Sequence, residues 1–382
     1  MSTHAWHQET LLAQVGIHAD PTYGSVSSPI YPTVTYQHGP EGLGTFDYSR
    51  TDNPTRTALA EALTVLEGGT GSSVFSSGMA AIQAVAASLK QGDHVVLTED
   101  VYGGTYRLFE DTFTKFGIST TYVNTRNLPA LRAAMRPNTQ LVFIESPSNP
   151  LLQVSDIRAI AGIAHEYGAV MAVDNTFMTF LRQRPIELGA DLVIYSATKY
   201  LSGHNDVLSG AVIAREPQVA EHIATIANAC GGVLSPMDSW LVMRGLKTLA
   251  LRLNQQESNA RQIAQFLDKH PNVAAVYYPE LGVKKDIALH QQQATGPGAM
   301  VSFQLPAHMD PGVFSSRLQC VLPAVSLGGV ESLITHPYSE THRELPEAIR
   351  MALGIRPGLM RLSVGIEHVD DLVRDLDAAL SR

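Results

Sequence analysis

Short apolar segments recur between residues 94 and 214, and this recurrence limits the possible folds of the chain more than any other feature. Each segment has four or five residues, and helical stretches separate several of them: HVVL, TTYV, QLVFI, AVMAV, DLVIY and GAVIA. Strands buried on both faces of a parallel sheet read as continuous apolar runs of this kind. The alternation of such strands with helices therefore predicts an α/β domain with a mostly parallel sheet.

The segments on either side of this region have different patterns. Residues 1–55 are rich in Gly, Pro, Ser and Tyr and show no sustained periodicity. Their many aromatic residues argue against a disordered tail, so we expect an extended arm that contacts a neighbouring subunit. Residues 56–245 form the predicted α/β domain, and one continuous helical pattern over residues 235–270 leads out of it. Residues 246–382 alternate short strands with helices, which predicts a small C-terminal α+β domain.

Composition argues against several classes of protein. The 382 residues carry a net charge of −9, and there is no basic run of the kind that binds nucleic acid. The two cysteines, Cys230 and Cys320, lie far apart without CxxC spacing, which supports neither a disulfide scaffold nor a zinc ribbon. We see no secretory signal and no apolar run near the roughly 20 residues of a membrane span. We therefore expect a soluble cytoplasmic protein that binds neither nucleic acid nor membrane.

Three polar motifs follow predicted strands. The motif SSGMA at residues 76–80 lies between a strand and a helix, where backbone N–H groups can bind an anion. Asp174 ends the strand AVMAV, at the sheet edge where α/β proteins bind ligands. Lys199 in SATKY follows the strand DLVIY, which is an unusual place for a lysine. Taken singly, each motif also has an ordinary interpretation: a tight turn, a capping aspartate and a surface lysine.

In this order the three motifs predict a site for pyridoxal phosphate. The cofactor needs an anion cradle, an acid facing its ring nitrogen and a lysine that forms a Schiff base with its aldehyde. Burial lowers the pKa of a lysine and makes its neutral amine nucleophilic. Ser196 and Thr198 flank Lys199 with hydroxyls suited to a phosphate. A dinucleotide site is a weaker alternative, since GGTG at residues 68–71 precedes a strand and lacks GxGxxG spacing.

A resemblance to a known family rests on motifs spread over nearly the whole chain: YSRTDNPTR, SSGMAAI, DVYGGTYR, ESPSNP, VDNTF, SATKYLSGH, SLGGVESL and MRLSVGIEH. They resemble the Cys/Met-metabolism family of pyridoxal-phosphate enzymes, and most closely its cystathionine γ-synthase/O-acetylhomoserine thiolyase branch. The resemblance implies the fold-type I, aspartate aminotransferase-like architecture. In this fold a mostly parallel seven-stranded sheet is joined to a smaller α+β C-terminal domain.

The resemblance also implies roles for individual residues around the cofactor. Lys199 matches the Schiff-base lysine that shuttles protons, Asp174 the partner of the ring nitrogen, and Tyr102 a stacking tyrosine that is a candidate acid/base. The implied phosphate cradle comprises Gly78, Met79, Ser196 and Thr198. Tyr48 and Arg50 match residues that reach the phosphate of the neighbouring subunit, a task that suits the planar guanidinium. The site would then need a dimer, and the family commonly forms homotetramers; alternatively, Tyr48 and Arg50 are an exposed loop pair.

Substrate contacts are implied in the same way. Arg361 in MRLSVG matches the arginine that binds the substrate α-carboxylate, and Ser326 and Asn149 match its helpers; an ordinary strand arginine is the alternative. Asp47 and Glu331 are predicted to place two carboxylates near the cofactor, if the arm folds as expected, where they could hold a distal ammonium. We predict no metal site, because the remaining candidate ligands lack metal spacing and are expected to be structural: His204, His336 and His342.

The resemblance favours γ-replacement on an O-acetyl- or O-succinylhomoserine, with cysteine or sulfide as the thiol and cystathionine or homocysteine as the product. Cystathionine γ-lyase or β-lyase activity is the alternative. Methionine γ-lyases typically carry Cys where this chain has Gly104, and β-lyases often carry aromatic residues where it has Leu327 and Val330. A non-catalytic pyridoxal-phosphate-binding regulator would carry a DNA-binding segment, which the sequence does not show.

Overall fold

A seven-stranded sheet forms the core of the computed structural model, which describes residues 6–42 and 44–381. The strand order is β1-β7-β6-β5-β4-β2-β3. Strand β7 is antiparallel to both β1 and β6, and the other neighbours are parallel. The strands are Gly71–Phe75 (β1), His94–Thr98 (β2), Ser119–Val123 (β3), Thr139–Glu145 (β4), Val170–Asp174 (β5), Leu192–Tyr195 (β6) and Gly210–Ala214 (β7). The α/β fold with a mostly parallel seven-stranded sheet is thus confirmed.

A second, smaller sheet lies in the C-terminal part of the chain, with the strand order β10-β11-β12-β9-β8. Its strands are Ala275–Tyr277 (β8), Met300–Gln304 (β9), Leu322–Pro323 (β10), Leu333–Thr335 (β11) and Leu359–Ser363 (β12). The sequence pattern predicted β8, β9 and β12, but it did not reveal β10 and β11. The smaller α+β region is confirmed, whereas the domain boundaries at residues 56 and 246 stay predictions.

The helices pack on both sheets and at the N-terminus. They are Gln8–Ala13 (α1), Pro54–Glu67 (α2), Gly78–Ala86 (α3), Gly103–Arg107 (α4), Leu128–Ala134 (α5), Ile157–Glu166 (α6), Thr179–Arg182 (α7), Pro217–Cys230 (α8), Pro236–Leu246 (α9), Leu249–Lys269 (α10), Lys284–Gln293 (α11), Pro311–Ser316 (α12), Glu347–Ala352 (α13) and Val369–Leu380 (α14). Among the described residues, no helix is long and apolar enough to cross a membrane.

The single long helix predicted over residues 235–270 is two helices, α9 and α10, that meet at Lys247 and Thr248. Gly245 lies so close to the loop after β6 that a Cβ there would approach the carbonyl oxygen of Ser202 to 2.2 Å. The guanidinium of Arg252 donates to the carbonyl oxygens of Gly245 and Tyr200, each at 2.9 Å. These contacts satisfy one carbonyl group in the last turn of α9 and fix α10 against the loop that carries Lys199.

The N-terminal arm packs partly on its own chain. It contains helix α1, which the sequence pattern did not predict, and Leu12 of this helix is buried. Further along the arm, the indole of Trp240 donates to the carbonyl oxygen of Ser28 at 3.1 Å. Asn53 ends the arm and caps α2, since its side-chain oxygen accepts from the backbone N–H of Thr55. The contact with a neighbouring subunit stays a prediction.

Candidate active site

A cavity of about 400 Å³ opens at the carboxyl ends of β4, β5 and β6. Adjacent parallel strands all point their carboxyl ends to this edge, which is the usual ligand edge of an α/β sheet. The loop before β11 and strand β12 of the second sheet close the opposite side. The lining residues are Ser77, Gly78, Met79, Tyr102, Glu145, Pro147, Asn149, Asp174, Thr176, Phe177, Ser196, Thr198, Lys199, Leu208, Val325, Ser326, Leu327, Thr341 and Arg361.

The amine of Lys199 lies inside this cavity. Lys199 follows β6 by a short turn, and its Nζ donates to Oγ of Ser326 at 2.8 Å. Burial, together with the nearby charge of Arg361, lowers the pKa of Lys199 to about 8. A substantial fraction of this amine is therefore neutral near pH 8, as nucleophilic attack on an aldehyde requires.

Ser326 connects Lys199 to Arg361. Its backbone has a φ of 101°, a left-handed conformation that non-glycine residues rarely adopt. In this conformation its hydroxyl accepts from Lys199 while its carbonyl oxygen accepts from Nη2 of Arg361 at 3.2 Å. Arg361 on β12 is 2% exposed, and its Nη1 donates to Oδ1 of Asn149 at 2.8 Å. The structure thus brings together the three residues predicted to bind a substrate carboxylate.

The N-terminus of α3 forms one wall of the cavity. Oγ of Ser77 accepts from the N–H of Ala80 at 3.1 Å, which leaves other N–H groups of the first turn available to an anion. Gly78 is needed here, because a Cβ would lie 2.8 Å from Cβ of Ser196. Oγ1 of Thr198 accepts from the N–H of Ser209 at 2.9 Å, so this hydroxyl also fixes the residue that directly precedes β7. All four residues of the predicted phosphate cradle line the cavity: Gly78, Met79, Ser196 and Thr198.

Two carboxylates lie at the carboxyl ends of β4 and β5, where the cavity opens. Asp174 ends β5 and accepts from the N–H of Thr176 at 3.0 Å, while burial raises its pKa. Glu145 ends β4 directly beside it in the parallel register, and the sequence analysis gave it no role. Its Oε1 accepts from the N–H of Tyr102 at 2.9 Å. Glu145 carries the same signal as Asp174, an acid at the end of an apolar run, and could have been found by it.

The cavity suits an aldehyde cofactor that carries a phosphate and a basic ring nitrogen. Lys199 supplies a partly neutral amine, and α3 supplies an anion cradle that a Cβ at Gly78 would fill. Asp174 supplies a half-buried acid at the end of β5, and the ring of Tyr102 lines the same space. These residues fit pyridoxal phosphate, and we know no other common cofactor that needs all of them.

Four predicted residues do not line the cavity of their own chain. Arg50 lies over the ring of Tyr48 at 5.5 Å, and its Nε donates to Oδ1 of Asn228 at 3.2 Å. Asp47 pairs with His38 at 2.8 Å. Glu331 accepts from Nδ2 of Asn205 at 2.8 Å. A contact of Tyr48 and Arg50 with a neighbouring subunit, and a joint substrate site of Asp47 and Glu331, stay predictions.

The three histidines expected to be structural each contact a backbone carbonyl. Nδ1 of His204 lies 2.7 Å from the carbonyl oxygen of Ser202, and Nε2 of His336 lies 2.5 Å from that of Pro357. His342 is fully buried, and its Nε2 lies 3.1 Å from the carbonyl oxygen of Asn149. Burial lowers the pKa of His342 to about 4, so this ring is neutral and steadies the loop that carries Asn149. Within the described part of the chain, no three potential ligands form a metal-binding group.

The fold and the cavity together define the class of fold-type I, pyridoxal-phosphate-dependent enzymes. A family model described as Cys/Met metabolism PLP-dependent enzyme matches residues 9–381. The chain belongs to this family.

Relatives in the family carry several activities. The chain is 47% identical to a cystathionine γ-synthase/O-acetylhomoserine (thiol)-lyase of Bacillus subtilis (strain 168), over 98% of this chain and 96% of the relative. It is 45% identical to a cystathionine β-lyase of the same strain, over 100% of this chain and 98% of the relative. The crystal structure of a cystathionine γ-lyase from Lactobacillus plantarum, complexed with L-serine, superposes with a TM-score of 0.97 at 42% identity, covering 98% and 99% of the two chains.

Proposed function

We propose that the protein catalyses γ-replacement on an O-acylhomoserine, joining it to cysteine to give cystathionine, with sulfide as a second thiol that gives homocysteine. The observation that carries this proposal is the contact of Lys199 and Arg361 with one residue, Ser326, in a single cavity. An α-carboxylate bound to Arg361 would place the Cα of an amino acid beside the amine of Lys199. The arrangement suits removal of the Cα proton, which every reaction of this family begins with.

Each residue then has a definite task. Pyridoxal phosphate, when bound, supplies the electron sink that makes the Cα–H acidic. The amine of Lys199 takes the proton from Cα and can deliver it elsewhere on the substrate, as the pKa of about 8 allows. Arg361 holds the carboxylate and Asn149 orients Arg361. Loss of a Cβ proton lets the acyloxy group leave Cγ as a carboxylate with the electron pair of the Cγ–O bond, and the thiol then adds at Cγ.

The surroundings of Gly104 argue against methionine γ-lyase activity. A Cβ at this position would lie 2.6 Å from Cε1 of Tyr102 and 3.0 Å from Sδ of Met79. A cysteine, which methionine γ-lyases typically carry here, would therefore displace the ring of Tyr102 from its present position. Gly104 therefore fits an enzyme in which the ring of Tyr102 keeps its present position beside the cavity.

Cystathionine lyase activity is the second candidate function. The names of the relatives favour it, because a β-lyase and a γ-lyase share as much of the sequence as the synthase does, at 45% and 46% against 47% identity. Both activities would use the same Lys199 and Arg361. A γ-lyase would differ from the synthase only after the leaving group has left Cγ, whereas a β-lyase would lose its leaving group from Cβ.

Purified holoenzyme incubated with O-acetylhomoserine and cysteine distinguishes the two functions when cystathionine alone is assayed in parallel. We expect cystathionine to form in the first mixture faster than 2-oxo acid is released in the second. Lys199→Ala is the control and should be inactive in both. Turnover in the second mixture alone would overturn the proposal in favour of a lyase.

A further inference from the structure

Glu145 and Asp174 form a pair of carboxylates in the cavity, with Glu145 buried and Asp174 half-buried. They are the last residues of neighbouring parallel strands, and the register places them directly side by side. Neighbouring strands lie about 4.8 Å apart, so both side chains project from the same sheet edge at close range. Glu145 is only 6% exposed. Two negative charges at this spacing and depth would repel each other strongly.

The groups that face Glu145 do not favour its negative charge. Burial is the main cause that opposes the ionisation of Glu145 and raises its pKa, and the carboxyl groups of Asp174 and Asp100 add to it. Burial raises the pKa of Asp100, while the hydroxyls of Thr98 and Ser148 donate to it and act in the opposite direction. The one contact that lowers the pKa of Glu145 is the neutral N–H of Tyr102. The cations of the cavity, Lys199 and Arg361, face Ser326 instead.

We propose that Glu145 is a positioning residue that keeps its proton at neutral pH, leaves Asp174 as the single negative charge of the pair, and holds Tyr102 through its Oε1. A protonated carboxyl still accepts a hydrogen bond on its carbonyl oxygen, so the contact with the N–H of Tyr102 is retained. The pair then carries one charge, on the residue predicted to face the ring nitrogen of the cofactor. This assignment rests on pyridoxal phosphate being held by Asp174 as the proposed function requires, but not on which thiol or leaving group the enzyme uses.

Infrared spectroscopy of the holoenzyme at pH 7 reads the proton of Glu145 directly, without substrate. We expect a carbonyl band of a protonated carboxylic acid that shifts in D₂O and is lost in Glu145→Gln. Glu67 is a fully buried acid outside the cavity, so Glu67→Gln is the matched control and should retain the band assigned to Glu145. Absence of a protonated-acid band from the Glu67→Gln enzyme would overturn the proposal. This measurement leaves Glu145 itself unchanged.

The visible absorbance of the holoenzyme gives a second test through its pH titration. Glutamine is neutral and isosteric with the protonated acid, so we expect Glu145→Gln to bind the cofactor and to leave the titration midpoint essentially unchanged. If Glu145 were ionised, the same substitution would remove a negative charge beside the cofactor and lower the midpoint by about one pH unit. A shift of that size would contradict the proposal.

The contact with Tyr102 is tested by comparing Glu145→Leu with Glu145→Gln. Leucine removes the acceptor of the Tyr102 N–H, and we expect kcat to fall about tenfold. Thermal stability and cofactor content are measured in parallel for each variant. Glutamine offers an acceptor oxygen and should restore kcat to within about threefold of the wild type. Equal loss of kcat in both variants would contradict the positioning of Tyr102. Because the infrared band is measured without substrate, failure of the proposed reaction would leave the protonation result intact.

Discussion

At the scale of single residues, the cavity depends on contacts between segments that are far apart in the chain. The amine of Lys199 is held by Ser326, 127 positions away, and the guanidinium of Arg361 by Asn149, 212 positions away. Burial and the charge of Arg361 together lower the pKa of Lys199 to about 8. The charged form of this amine is the one that the cavity disfavours.

The lowered pKa of Lys199 predicts how fast the apoenzyme captures its cofactor. Only the neutral amine attacks the aldehyde, so the second-order rate should rise about tenfold per pH unit below pH 8 and level off above it. An ordinary lysine, whose pKa is 10.5, would show a rise that continues beyond pH 9. Stopped-flow absorbance after mixing apoenzyme with pyridoxal phosphate measures this profile between pH 6 and 9.5. A rate still rising tenfold per unit above pH 9 would contradict the environment described for Lys199.

Sequence alone identified Lys199 and Asp174, because Asp174 ends an apolar run and Lys199 follows one by a short turn, both at the ligand edge of a predicted parallel sheet. It placed Arg361 and Ser326 only through the resemblance, since nothing local to a strand arginine reveals a partner 35 or more positions away. It missed Glu145, although this residue ends a run of the same kind. The register that pairs Glu145 with Asp174 follows from sheet order, which the spacing of the segments does not specify.

At the scale of elements, a buried chain of hydrogen bonds ties helix α2 to the strand ends of the site. Glu67 is the last residue of α2 and accepts from the hydroxyl of Tyr195 on β6. The same hydroxyl accepts from Nδ2 of Asn175 at 2.8 Å, and Asn175 directly follows Asp174. Burial raises the pKa of Glu67 to about 8, so this carboxyl is mostly neutral at pH 7.

The raised pKa of Glu67 makes stability depend on pH. Between 4.5, its ordinary pKa, and about 8, the folded protein keeps a proton that the unfolded chain has lost. Stability should therefore fall as the pH rises through this window, by at most about 1.4 kcal/mol per pH unit from this group. Glu67→Gln stays neutral and should lose that part of the pH dependence, so its advantage over the wild type grows from pH 5 to 8.

Denaturant unfolding of the apoproteins at pH 5, 6, 7 and 8 measures this advantage. Glu61→Gln is the matched control, because Glu61 lies on the same helix and is exposed. The control should follow the wild type at every pH. A Glu67→Gln curve parallel to the wild type would show that Glu67 is ionised in the folded protein.

The elements themselves were predicted to different degrees. Six strands of the large sheet were recognisable as short apolar runs, and β1, with the sequence GSSVF, was recognised only as the strand before the SSGMA motif. Strands β10 and β11 have two and three residues, too few to show a period of two. The break between α9 and α10 was also missed, since it arises from the contact of Gly245 with the Lys199 loop and not from a helix-breaking residue.

At the scale of the whole molecule, the cavity of one chain is open at its mouth. The side chains of Leu208 and Val325 line it and are 66% and 62% exposed. Tyr48 and Arg50 lie outside the cavity of their own chain, on an arm whose Tyr23 is 90% exposed. These features support a site that is completed by the arm of a second subunit, with Arg50 at the phosphate.

Complementation between two inactive variants tests this shared site. Lys199→Ala lacks the amine and Arg50→Ala lacks the arm guanidinium, so each should be almost inactive alone. A hybrid dimer contains one site with Lys199 from one chain and Arg50 from the other. After random subunit exchange, activity should recover to about a quarter of the wild type, because half the dimers are hybrid and each has one intact site.

The control for complementation mixes Lys199→Ala with Asp174→Asn. Both residues line the cavity of a single chain, so every site in this hybrid is defective and no activity should return. No recovery from the Lys199→Ala and Arg50→Ala mixture, with subunit exchange verified, would show that each chain builds its site alone.

The covalent attachment of the cofactor to Lys199 is the central claim, and peptide mass analysis of the borohydride-reduced holoenzyme tests it most directly. We expect one pyridoxyl group per chain, on the peptide that contains SATKY, and none in Lys199→Ala treated in the same way. A pyridoxyl group on any other lysine of the native enzyme, or bound cofactor that borohydride fixes to none, would contradict the account.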